Sequence, residues 1–382
     1  MKVLHICNDY LGSNVHANLY RGLDQLDLDQ TVYAYYRGRD TERKNYFKSE
    51  HIRFFYRPIL RGWHRVLYHQ KVKTVYDDLI QSVKNLSFDL VHATTLFSDG
   101  SIAYRLFKEH GVPYVVTVRN TDINEFLAVA PWTWPMGMNV LKNARRIVFI
   151  SEAPMRKFCR HFLIKSILPE IQDKFVVQPN GVDSYWLDHI QEEIKSLSHN
   201  LIYVGRFDVN KNVVRLIHAV LRLKKQIPDI KLHLVGGDGW RENEVLALVQ
   251  KYPQNLVYHG KVYDKDVLRA LYSQCSVFAM PSIHETFGLV YIEALTQHLA
   301  LIYTKDQGID GLLDDRVGEK VNALSTKSIH DAICKILEHR TDYLASEVVD
   351  FERFRWNEIA KVYIRMYETI VKNYVIGNLP NL

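Results

Sequence analysis

Short apolar segments alternate with longer segments of helical periodicity along the whole chain, and this alternation restricts the fold more than any other feature. A buried strand followed by a covering helix, repeated many times, is typical of parallel β-sheets with helices on their faces. The sequence therefore predicts an α/β protein. The predicted strands of the first half are Val3–Cys7, Thr31–Tyr36, Ile52–Tyr56, Leu90–Thr94, Tyr114–Val118, Ile147–Ile150 and Phe175–Val177. Those of the second half are Leu201–Val204, Lys231–Val235, Leu256–His259, Val277–Met280 and Leu301–Tyr303.

Length and one internal boundary predict two domains. At 382 residues the chain exceeds one ordinary core and suits two domains of about 150–200 residues each. The turn dipeptide Asn180-Gly181 and a polar helical stretch over Asp188–Ser198 separate the two series of strands. The expected domains are 1–185 and 186–355, followed by a terminal segment, 356–382, that forms one amphipathic helix from Trp356.

Composition places the chain among globular proteins without membrane-spanning helices. Hydrophobic residues make up 47% and aromatic residues 12%, which excludes disorder as the main state. No run approaches the ~18 uncharged apolar residues of a transmembrane helix, and the first apolar segment is too short for a signal peptide. The widely spaced cysteines fit free thiols in a reducing compartment, so we expect a cytoplasmic protein. They are Cys7, Cys159, Cys275 and Cys334.

The basic excess is confined to one early part of the chain, Arg37–Lys73, called the basic segment below. Eleven basic residues stand there against three acids, in a chain whose net charge is +6. Such a run is usually a solvated surface. Because aromatic residues are interleaved with the cations, the segment could also dock on the cytoplasmic face of an anionic membrane. Nucleic-acid binding is a third interpretation, but no recognition motif accompanies the charges, and we expect no nucleic-acid partner.

Two glutamates, Glu285 and Glu293, flank the start of a predicted helix in the second half. A buried strand ends at Met280, and Gly288 stands where the next helix begins. A strand, a glycine-containing loop and a helix start together present free backbone N–H groups to an anion. The two carboxylates could therefore flank a ligand whose phosphate rests on the helix end.

Two cations follow the first strand of the second half. Gly205-Arg206 ends that strand, and Lys211 opens the helix after it. Both positions lie at the carboxyl end of the sheet, where α/β proteins bind their ligands. Two fixed positive charges there would neutralise a diphosphate and stabilise it as a leaving group.

These motifs closely resemble the signature of the family 4 retaining glycosyltransferases, which have the GT-B fold. The matching residues are Pro281-Ser282, Glu285, Phe287-Gly288-Leu289, Glu293-Ala294-Leu295 and the Gly-Arg-x-x-x-x-Lys spacing of 205–211. The resemblance implies two Rossmann-like domains whose parallel sheets face a central cleft, with the C-terminal helix crossing back to the first domain. It also implies transfer of a sugar from a nucleotide-sugar with retention of the anomeric configuration and without a protein nucleophile.

The resemblance also assigns roles to residues of the donor site. Glu285 would bind hydroxyls of the donor sugar, and Glu293 those of the ribose. Arg206, Lys211 and Glu285 form the implied catalytic set. The implied donor-binding residues are Gly12 and Ser13 beside the sugar diphosphate, Gly205 next to Arg206, Lys261 and Val262 along the nucleobase, the N–H groups of Phe287, Gly288 and Leu289 on the phosphates, and Glu293.

Residues implied on the acceptor or sugar side depart from the family pattern. Many relatives have a histidine in the run that matches Val118–Asn124, and this chain has none there. Arg119, Asn120 or Asp122 must replace it, or the contact is lost. Similar Arg-Asn-Thr-Asp runs occur in enzymes that build bacterial capsules and O-antigens. The other candidates on this side are His92, for which a packed role is equally open, and Asp99.

The expected partners follow from the same resemblance. A UDP- or GDP-sugar would be the co-substrate, with no further cofactor, and the acceptor would be a lipid-linked or growing glycan of a bacterial surface polysaccharide. No cluster has metal-ligand spacing, and Asp27-Leu28-Asp29 is interpreted as a solvated turn, so we expect no catalytic metal. The alternative enzyme is a nucleotide-sugar epimerase on the same fold, which would consume no acceptor.

Overall fold

The computed structural model describes residues 1–38, 44–84, 86–191, 198–343 and 348–377, and it divides the chain into two compact units. Most of the predicted helix over Asp188–Ser198 lies outside the described residues; a short helix, Ser184–Asp188, precedes it. Unit 1 consists of Met1–Ile150, Pro154–Gly181 and Trp356–Leu382. Unit 2 consists of Ser151–Ala153 and Val182–Arg355.

Each unit is built on one parallel sheet. In unit 1 the strand order is β3-β2-β1-β4-β5-β6-β7, and in unit 2 it is β10-β9-β8-β11-β12-β13. The central strands are buried on both faces, as parallel sheets covered by helices require. The strands are β1 Lys2–Cys7, β2 Asp29–Arg37, β3 Ile52–Leu60, β4 Leu90–Ala93, β5 Tyr114–Val118, β6 Arg146–Phe149, β7 Phe175–Val177, β8 Asn200–Arg206, β9 Lys231–Gly237, β10 Leu256–Gly260, β11 Val277–Ala279, β12 Ala300–Thr304 and β13 Gly318–Val321.

Helices cover both faces of each sheet. The described α-helices are α1 Asn14–Asp24, α2 Tyr68–Ser82, α3 Ser98–His110, α4 Trp134–Asn143, α5 Glu152–Arg160, α6 Phe162–Ile171, α7 Ser184–Asp188, α8 Val213–Leu223, α9 Glu242–Lys251, α10 Lys265–Tyr272, α11 Leu289–Thr296, α12 Thr326–Glu338 and α13 Trp356–Gly377. None of these described helices is both long enough and apolar enough to cross a membrane. This alternation of strands and helices confirms the predicted α/β class.

The last described helix completes the core of unit 1. Ile359, Tyr363 and Tyr367 of α13 pack with Leu23 of α1 and with residues of the sheet in one apolar cluster. A second cluster, on the other face of the sheet, contains side chains of α2, α3, α4 and α6. The predicted return of the C-terminal helix to the first domain is therefore confirmed.

One strand of unit 2 was missed by the sequence analysis. Strand β13 pairs with β12 in parallel, with Leu301 opposite Gly318 and Thr304 opposite Val321. Its four residues, Gly-Glu-Lys-Val, include two polar side chains and no apolar run. Because only its two ends are buried, the segment has neither the length nor the composition of a predicted buried strand.

Candidate active site

Two loops of unit 2 are bonded side by side at the carboxyl edge of its sheet, one after β8 and one after β11. The side chain of Asn210 donates to the carbonyl of His284 at 2.9 Å and accepts the His284 N–H at the same distance. The N–H of Ile283 donates to the carbonyl of Asn210 at 2.7 Å. Since β8 and β11 are neighbours, these bonds hold the loops together where the sheet ends.

This loop pair brings Lys211 and Glu285 into an ion pair of 2.7 Å, between Nζ and Oε2. The exposed fractions of the two side chains are 25% and 10%. Asn212 adopts a left-handed conformation with φ of 59° and donates to the carbonyls of Pro281 and Ala323. It thereby starts α8 directly after Lys211, and the lysine is directed at the carboxylate. The sequence predicted both charges for the site but not their contact.

The backbone around Glu285 holds its carboxylate in place. The N–H of Glu285 donates to the side-chain oxygen of Gln307 at 3.2 Å, and its carbonyl accepts from Gly308 at 3.0 Å. The carboxylate oxygen Oε1 accepts the N–H of Thr286 at 3.1 Å, while Oε2 accepts from Lys211. The carboxylate is therefore oriented by groups from three loops.

Helix α11 begins without a side-chain cap. Gly288 has φ of +79° and precedes the helix; a Cβ at this position would lie 2.5 Å from the ring of Tyr291. Only glycine fits this turn. The Phe287 side chain is buried and its ring lies 6.2 Å from that of Phe354. The backbone of 287–289 thus forms an open helix start, which favours an anion through its N–H groups and the helix dipole.

Arg206 and Lys261 are linked to the loop after β9. Arg206 is exposed, and its Nε donates to the carbonyl of Asp238 at 3.1 Å. The carboxylate of Asp238 pairs with Lys261 and raises the pKa of that lysine. A Cβ at Gly236 would lie 1.8 Å from the backbone oxygen of Gly205, so close approach of the backbones requires this glycine. The turn over 236–239 therefore packs its backbone against the end of β8.

Glu293 lies in the second turn of α11, in a different electrostatic setting from Glu285. Burial raises the pKa of Glu293 to about 7; Asp183 acts in the same direction, and Lys265 opposes both. Lys265 is itself paired with Asp183 at 2.5 Å. A carboxyl group poised between its two forms near neutral pH is a feature of ligand sites more often than of plain surface.

The turn after β1 in unit 1 has a clear local function. Ser13 caps α1, because its hydroxyl accepts the N–H of Val15 at 3.3 Å. Gly12 donates to the carbonyl of Asp9 at 3.1 Å, and the side chain of Asn45 donates to the carbonyl of Ser13 at 3.2 Å. The structure fixes this turn but leaves the predicted donor contact of Gly12 and Ser13 a prediction.

His92 is packed inside unit 1. Its Nε2 lies 3.1 Å from the hydroxyl of Thr117, and its Nδ1 lies 2.7 Å from the hydroxyl of Tyr367 on α13. Burial and the charge of Arg119 lower the pKa of His92 to about 3, so the ring is neutral. With both nitrogens bonded inside the core, the geometry favours the packed role of His92 over an acceptor contact.

Asp99 and Asp122, both predicted on the acceptor or sugar side, have no exposed side-chain surface in unit 1. Asp99 accepts hydrogen bonds from the hydroxyls of Tyr35 and Thr94. Asp122 accepts the N–H groups of Leu96, Phe97 and Arg119 at 2.8–3.1 Å. Burial raises the pKa of each carboxyl to about 6, while these bonds oppose that shift. Both residues hold loops in position, and their contact with an acceptor or sugar stays a prediction.

Arg119 is an accessible charge of this edge. It is half-buried, and its Nε donates to the carbonyl of Thr94 at 3.2 Å. Burial raises the pKa of Asp9, and the charge of Arg119 opposes this shift without reversing it. Asn120 is likewise half-buried and has a partner of its own. Of the five residues predicted on the acceptor or sugar side, Arg119 and Asn120 keep surface available for a ligand.

Several supporting residues were missed. Asn210, Asn212 and Gln307 carry the bonds that fix Lys211 and Glu285, and Lys265 with Asp183 sets the charge near Glu293. The Lys-Asn dipeptide at a helix start was the available signal for Asn212, since asparagine adopts the left-handed conformation readily. The other contacts join distant parts of the chain, and no local pattern announces them.

Metal ligands are not grouped within the part of the chain that the structure describes: no set of three or more His, Cys, Asp or Glu side chains could hold an ion there. Metal-independent action remains a prediction.

Comparison with known proteins gives two family matches and several relatives. The chain is 26% identical over 209 residues to phosphatidyl-myo-inositol mannosyltransferase of Mycobacterium tuberculosis, covering 50% of this chain and 53% of that protein. It is 23% identical over 279 residues to alpha-monoglucosyldiacylglycerol synthase of Acholeplasma laidlawii, covering 68% and 67%. The match thus spans about half the length of the first of these relatives.

A solved structure shows the same fold. Sucrose-phosphate synthase of Thermosynechococcus elongatus superposes with a TM-score of 0.73 at 18% identity, covering 98% of this chain and 100% of that one. The family model described as Glycosyltransferase Family 4 matches residues 12–185, and the model described as Glycosyl transferases group 1 matches residues 185–347. The chain therefore has the GT-B fold, with a first region that matches Glycosyltransferase Family 4 and a second that matches glycosyl transferases group 1.

Proposed function

We propose that this protein is a retaining glycosyltransferase that moves a sugar from a nucleotide-diphosphate sugar to an acceptor. The observation that carries the proposal is the Lys211–Glu285 pair beside the uncapped start of α11 at Gly288. The loops after β8 and β11 thereby combine three groups: a cation for phosphate, a carboxylate for sugar hydroxyls and a helix end that favours an anion. Both matched family models describe glycosyltransferases, which supports the same activity.

The proposed reaction needs no group of the protein to form a covalent bond. The bond between the anomeric carbon and the phosphate oxygen breaks, and the acceptor oxygen attaches from the same face. The acceptor proton passes to an oxygen of the leaving diphosphate, which retains the bonding electron pair. Arg206, Lys211 and the helix end at Gly288 offset the charge that develops on the diphosphate, and the protein contributes positioning and electrostatic stabilisation.

The donor in this proposal is a UDP- or GDP-sugar, bound without a metal or further cofactor. The carboxylate of Glu293 accepts hydrogen bonds from the ribose hydroxyls, and the backbone at Lys261 and Val262 contacts the base. Gly205 and the backbone N–H groups of Phe287 and Leu289 lie on the side of the phosphates in this proposal. In unit 1, Arg119 and Asn120 are the residues whose half-buried positions suit contact with the sugar or acceptor.

The acceptor in this proposal is a lipid-linked or growing glycan of a bacterial surface polysaccharide. Two of the relatives are named for phosphatidyl-inositol and diacylglycerol substrates, which supports an acceptor held at a membrane. The protein would then work in the cytoplasm at the inner face of the membrane, and the basic segment Arg37–Lys73 would contribute to that contact.

A nucleotide-sugar panel tests the proposal. A donor present at 100 times its dissociation constant should raise the free energy of unfolding by about 2.7 kcal/mol, which thermal shift detects. Incubation of that donor with candidate acceptors, followed by mass analysis, should yield an acceptor heavier by one sugar residue. Conversion of the donor to an isomer of equal mass without acceptor would instead identify an epimerase. Stabilisation by no nucleotide-sugar would refute the donor site.

A further inference from the structure

The loop at residues 61–67, between β3 and α2, has an inverted burial pattern. Trp63, Val66 and Leu67 are exposed to 46%, 72% and 54%, while the polar His64 is 3% exposed. The Nδ1 atom of His64 accepts the N–H of Arg61 at 2.8 Å, which anchors the loop from inside. Burying the histidine turns the three apolar side chains outward, so their exposure is fixed by the fold.

A second exposed apolar group lies beside this loop, on the connection between β5 and α4. Val129 and Trp132 are exposed to 69% and 56%. The two regions meet through Phe126, whose ring lies 6.1 Å from that of Tyr68, the residue that follows Leu67. This ring contact places the connection against Tyr68, at the end of the 61–67 loop.

Phe162, at the start of α6, extends the same surface, and it is 64% exposed. Trp134 joins it to the connection, because its ring lies 5.6 Å from that of Phe162 and its Nε1 donates to the carbonyl of Phe126 at 3.2 Å. The apolar surface defined here comprises Trp63, Val66, Leu67, Val129, Trp132 and Phe162. A group of six large exposed side chains on three adjoining segments marks an interaction site, whereas single ones need no explanation.

Two arginines, Arg61 and Arg65, lie in the same loop as three side chains of this apolar surface, and their charge indicates the kind of partner. Arg61 and Arg65 are exposed in the same loop, and the Nε of Arg37 donates to the carbonyl of Arg61 at 3.3 Å. Guanidinium groups beside aromatic and aliphatic side chains are complementary to a bilayer with anionic headgroups, which offers phosphates above an apolar layer.

We propose that the apolar surface docks unit 1 on an anionic lipid bilayer, with the apolar side chains at the interface and Arg61 and Arg65 on the headgroup phosphates. Within the basic segment, the proposal thus assigns the headgroup contact to Arg61 and Arg65, whereas the sequence suggested the whole segment. Arg57 of that segment is paired with Asp78 at 2.5 Å, and Lys71 donates to the hydroxyl of Ser98 at 2.7 Å. The inference deepens the proposed function, on which it rests for the reason to dock, namely an acceptor that resides in the membrane.

Cosedimentation with vesicles tests the docking. Wild-type protein should bind phosphatidylglycerol-containing vesicles more tightly than pure phosphatidylcholine vesicles, and added salt should weaken the first interaction. The triple variant Trp63→Ser, Val66→Ser, Leu67→Ser should lose at least ~10-fold in partition to both kinds of vesicle. The double variant Arg61→Gln, Arg65→Gln should lose roughly 10- to 30-fold, and on anionic vesicles only.

Matched controls carry equal changes elsewhere. Val209→Ser with Leu324→Ser removes two apolar side chains of unit 2 that are 54% and 65% exposed, and Lys84→Gln with Lys108→Gln removes two exposed lysines of unit 1. Both controls should bind vesicles as the wild type does. All substituted side chains are exposed, so thermal unfolding should change little for any variant.

The outcomes separate this inference from the proposed function. Wild-type binding to neither vesicle at low salt, or a triple variant that binds like the wild type, would overturn the docking. A lipid-free dimer that dissociates in the triple variant would assign the surface to a second copy of the chain instead. Vesicle binding is measured without donor or acceptor and therefore does not depend on transferase activity. A protein that docks on vesicles but transfers no sugar would refute the proposed function and leave the docking intact.

Discussion

The carboxyl edges of the two sheets carry charged residues in both units but use them differently. In unit 2, Arg206 is exposed, and the Lys211–Glu285 pair keeps 25% and 10% of its side chains accessible. In unit 1, Asp99 and Asp122 have no accessible surface and are bonded entirely to protein groups. The same strand-to-loop geometry therefore leaves charges accessible at the unit 2 edge and buries two carboxylates at the unit 1 edge.

The difference teaches how to judge a charge at a sheet edge. Asp122 accepts three backbone N–H groups, which leaves its oxygens little capacity for anything else. Glu285 has one charged partner and one backbone donor among its contacts, and that partner can turn to a phosphate. The position of a charged residue at a sheet edge suggests a ligand site. Its hydrogen bonds within the protein show how much capacity it keeps for a ligand.

The largest effect is expected from the unit 2 cations. If the proposed function is right, Lys211→Ala or Arg206→Ala should lower turnover by about 100- to 1000-fold, because each variant lacks a charge that would stabilise the leaving diphosphate. Steady-state kinetics, with circular dichroism to confirm folding, measures this. Lys225→Ala, an exposed lysine of the same unit, should leave turnover unchanged. Near wild-type turnover in both site variants would remove the distinction drawn between the units.

Asp122→Ala should act on stability. It leaves three N–H groups without their acceptor, and each buried unsatisfied group costs roughly 1–3 kcal/mol, so we expect a loss of about 3 kcal/mol or more in the free energy of unfolding. Urea unfolding measures it, and Glu125→Ala at an exposed neighbouring position serves as the control. Unchanged stability combined with lost turnover would instead place Asp122 in the ligand site.

The pH dependence of nucleotide binding reports on Glu293. Its pKa is raised to about 7, and ribose hydroxyls bond best to the ionised carboxylate, so affinity for a nucleoside diphosphate should rise about tenfold from pH 6 to pH 8. Stability runs the other way. The folded-state pKa exceeds the ordinary value of 4.5, so the free energy of unfolding should fall as pH rises from 4.5 to about 7.

Calorimetric titration of wild type and Glu293→Gln across this pH range isolates the effect, because the phosphate titrates in both. The glutamine variant should bind more weakly at pH 8 and lack the additional pH dependence. Identical profiles in the two proteins would refute the ribose contact.

Chelation should have the smallest effect. If protein cations and a helix end stabilise the diphosphate, EDTA should leave transfer unchanged within error. The check is activity before and after chelation, with magnesium and manganese added back. Loss on chelation with rescue by either ion would show that the unit 2 edge is completed by a metal.

The sequence predicted much of the fold because the information is local. Apolar runs such as Leu201–Val204 and Lys231–Val235 appear as strands in the structure, each lying within a slightly longer element. Gly288 was recognised as a helix start, and its positive φ supplies the reason. Strand β13 was missed because its polar central residues give no such signal.

The site was predicted in its residues and missed in its contacts. Lys211 and Glu285 are 74 positions apart, and their pairing depends on the bonds of Asn210 to the loop at His284. The burial of Asp122 depends on N–H groups about 25 residues earlier in the chain. No periodicity or spacing encodes either arrangement, because both arise only once the strands are assembled.

Helix α13 has a consequence for the order in which the chain folds. It follows unit 2 in sequence, yet Ile359, Tyr363 and Tyr367 belong to the core of unit 1. During synthesis unit 2 has all its residues once Arg355 is made, whereas unit 1 still lacks α13, which shares one apolar cluster with α1. The apolar surface that α13 covers stays open until this helix emerges, so unit 1 completes its core after unit 2 and exposes an aggregation-prone surface in the meantime.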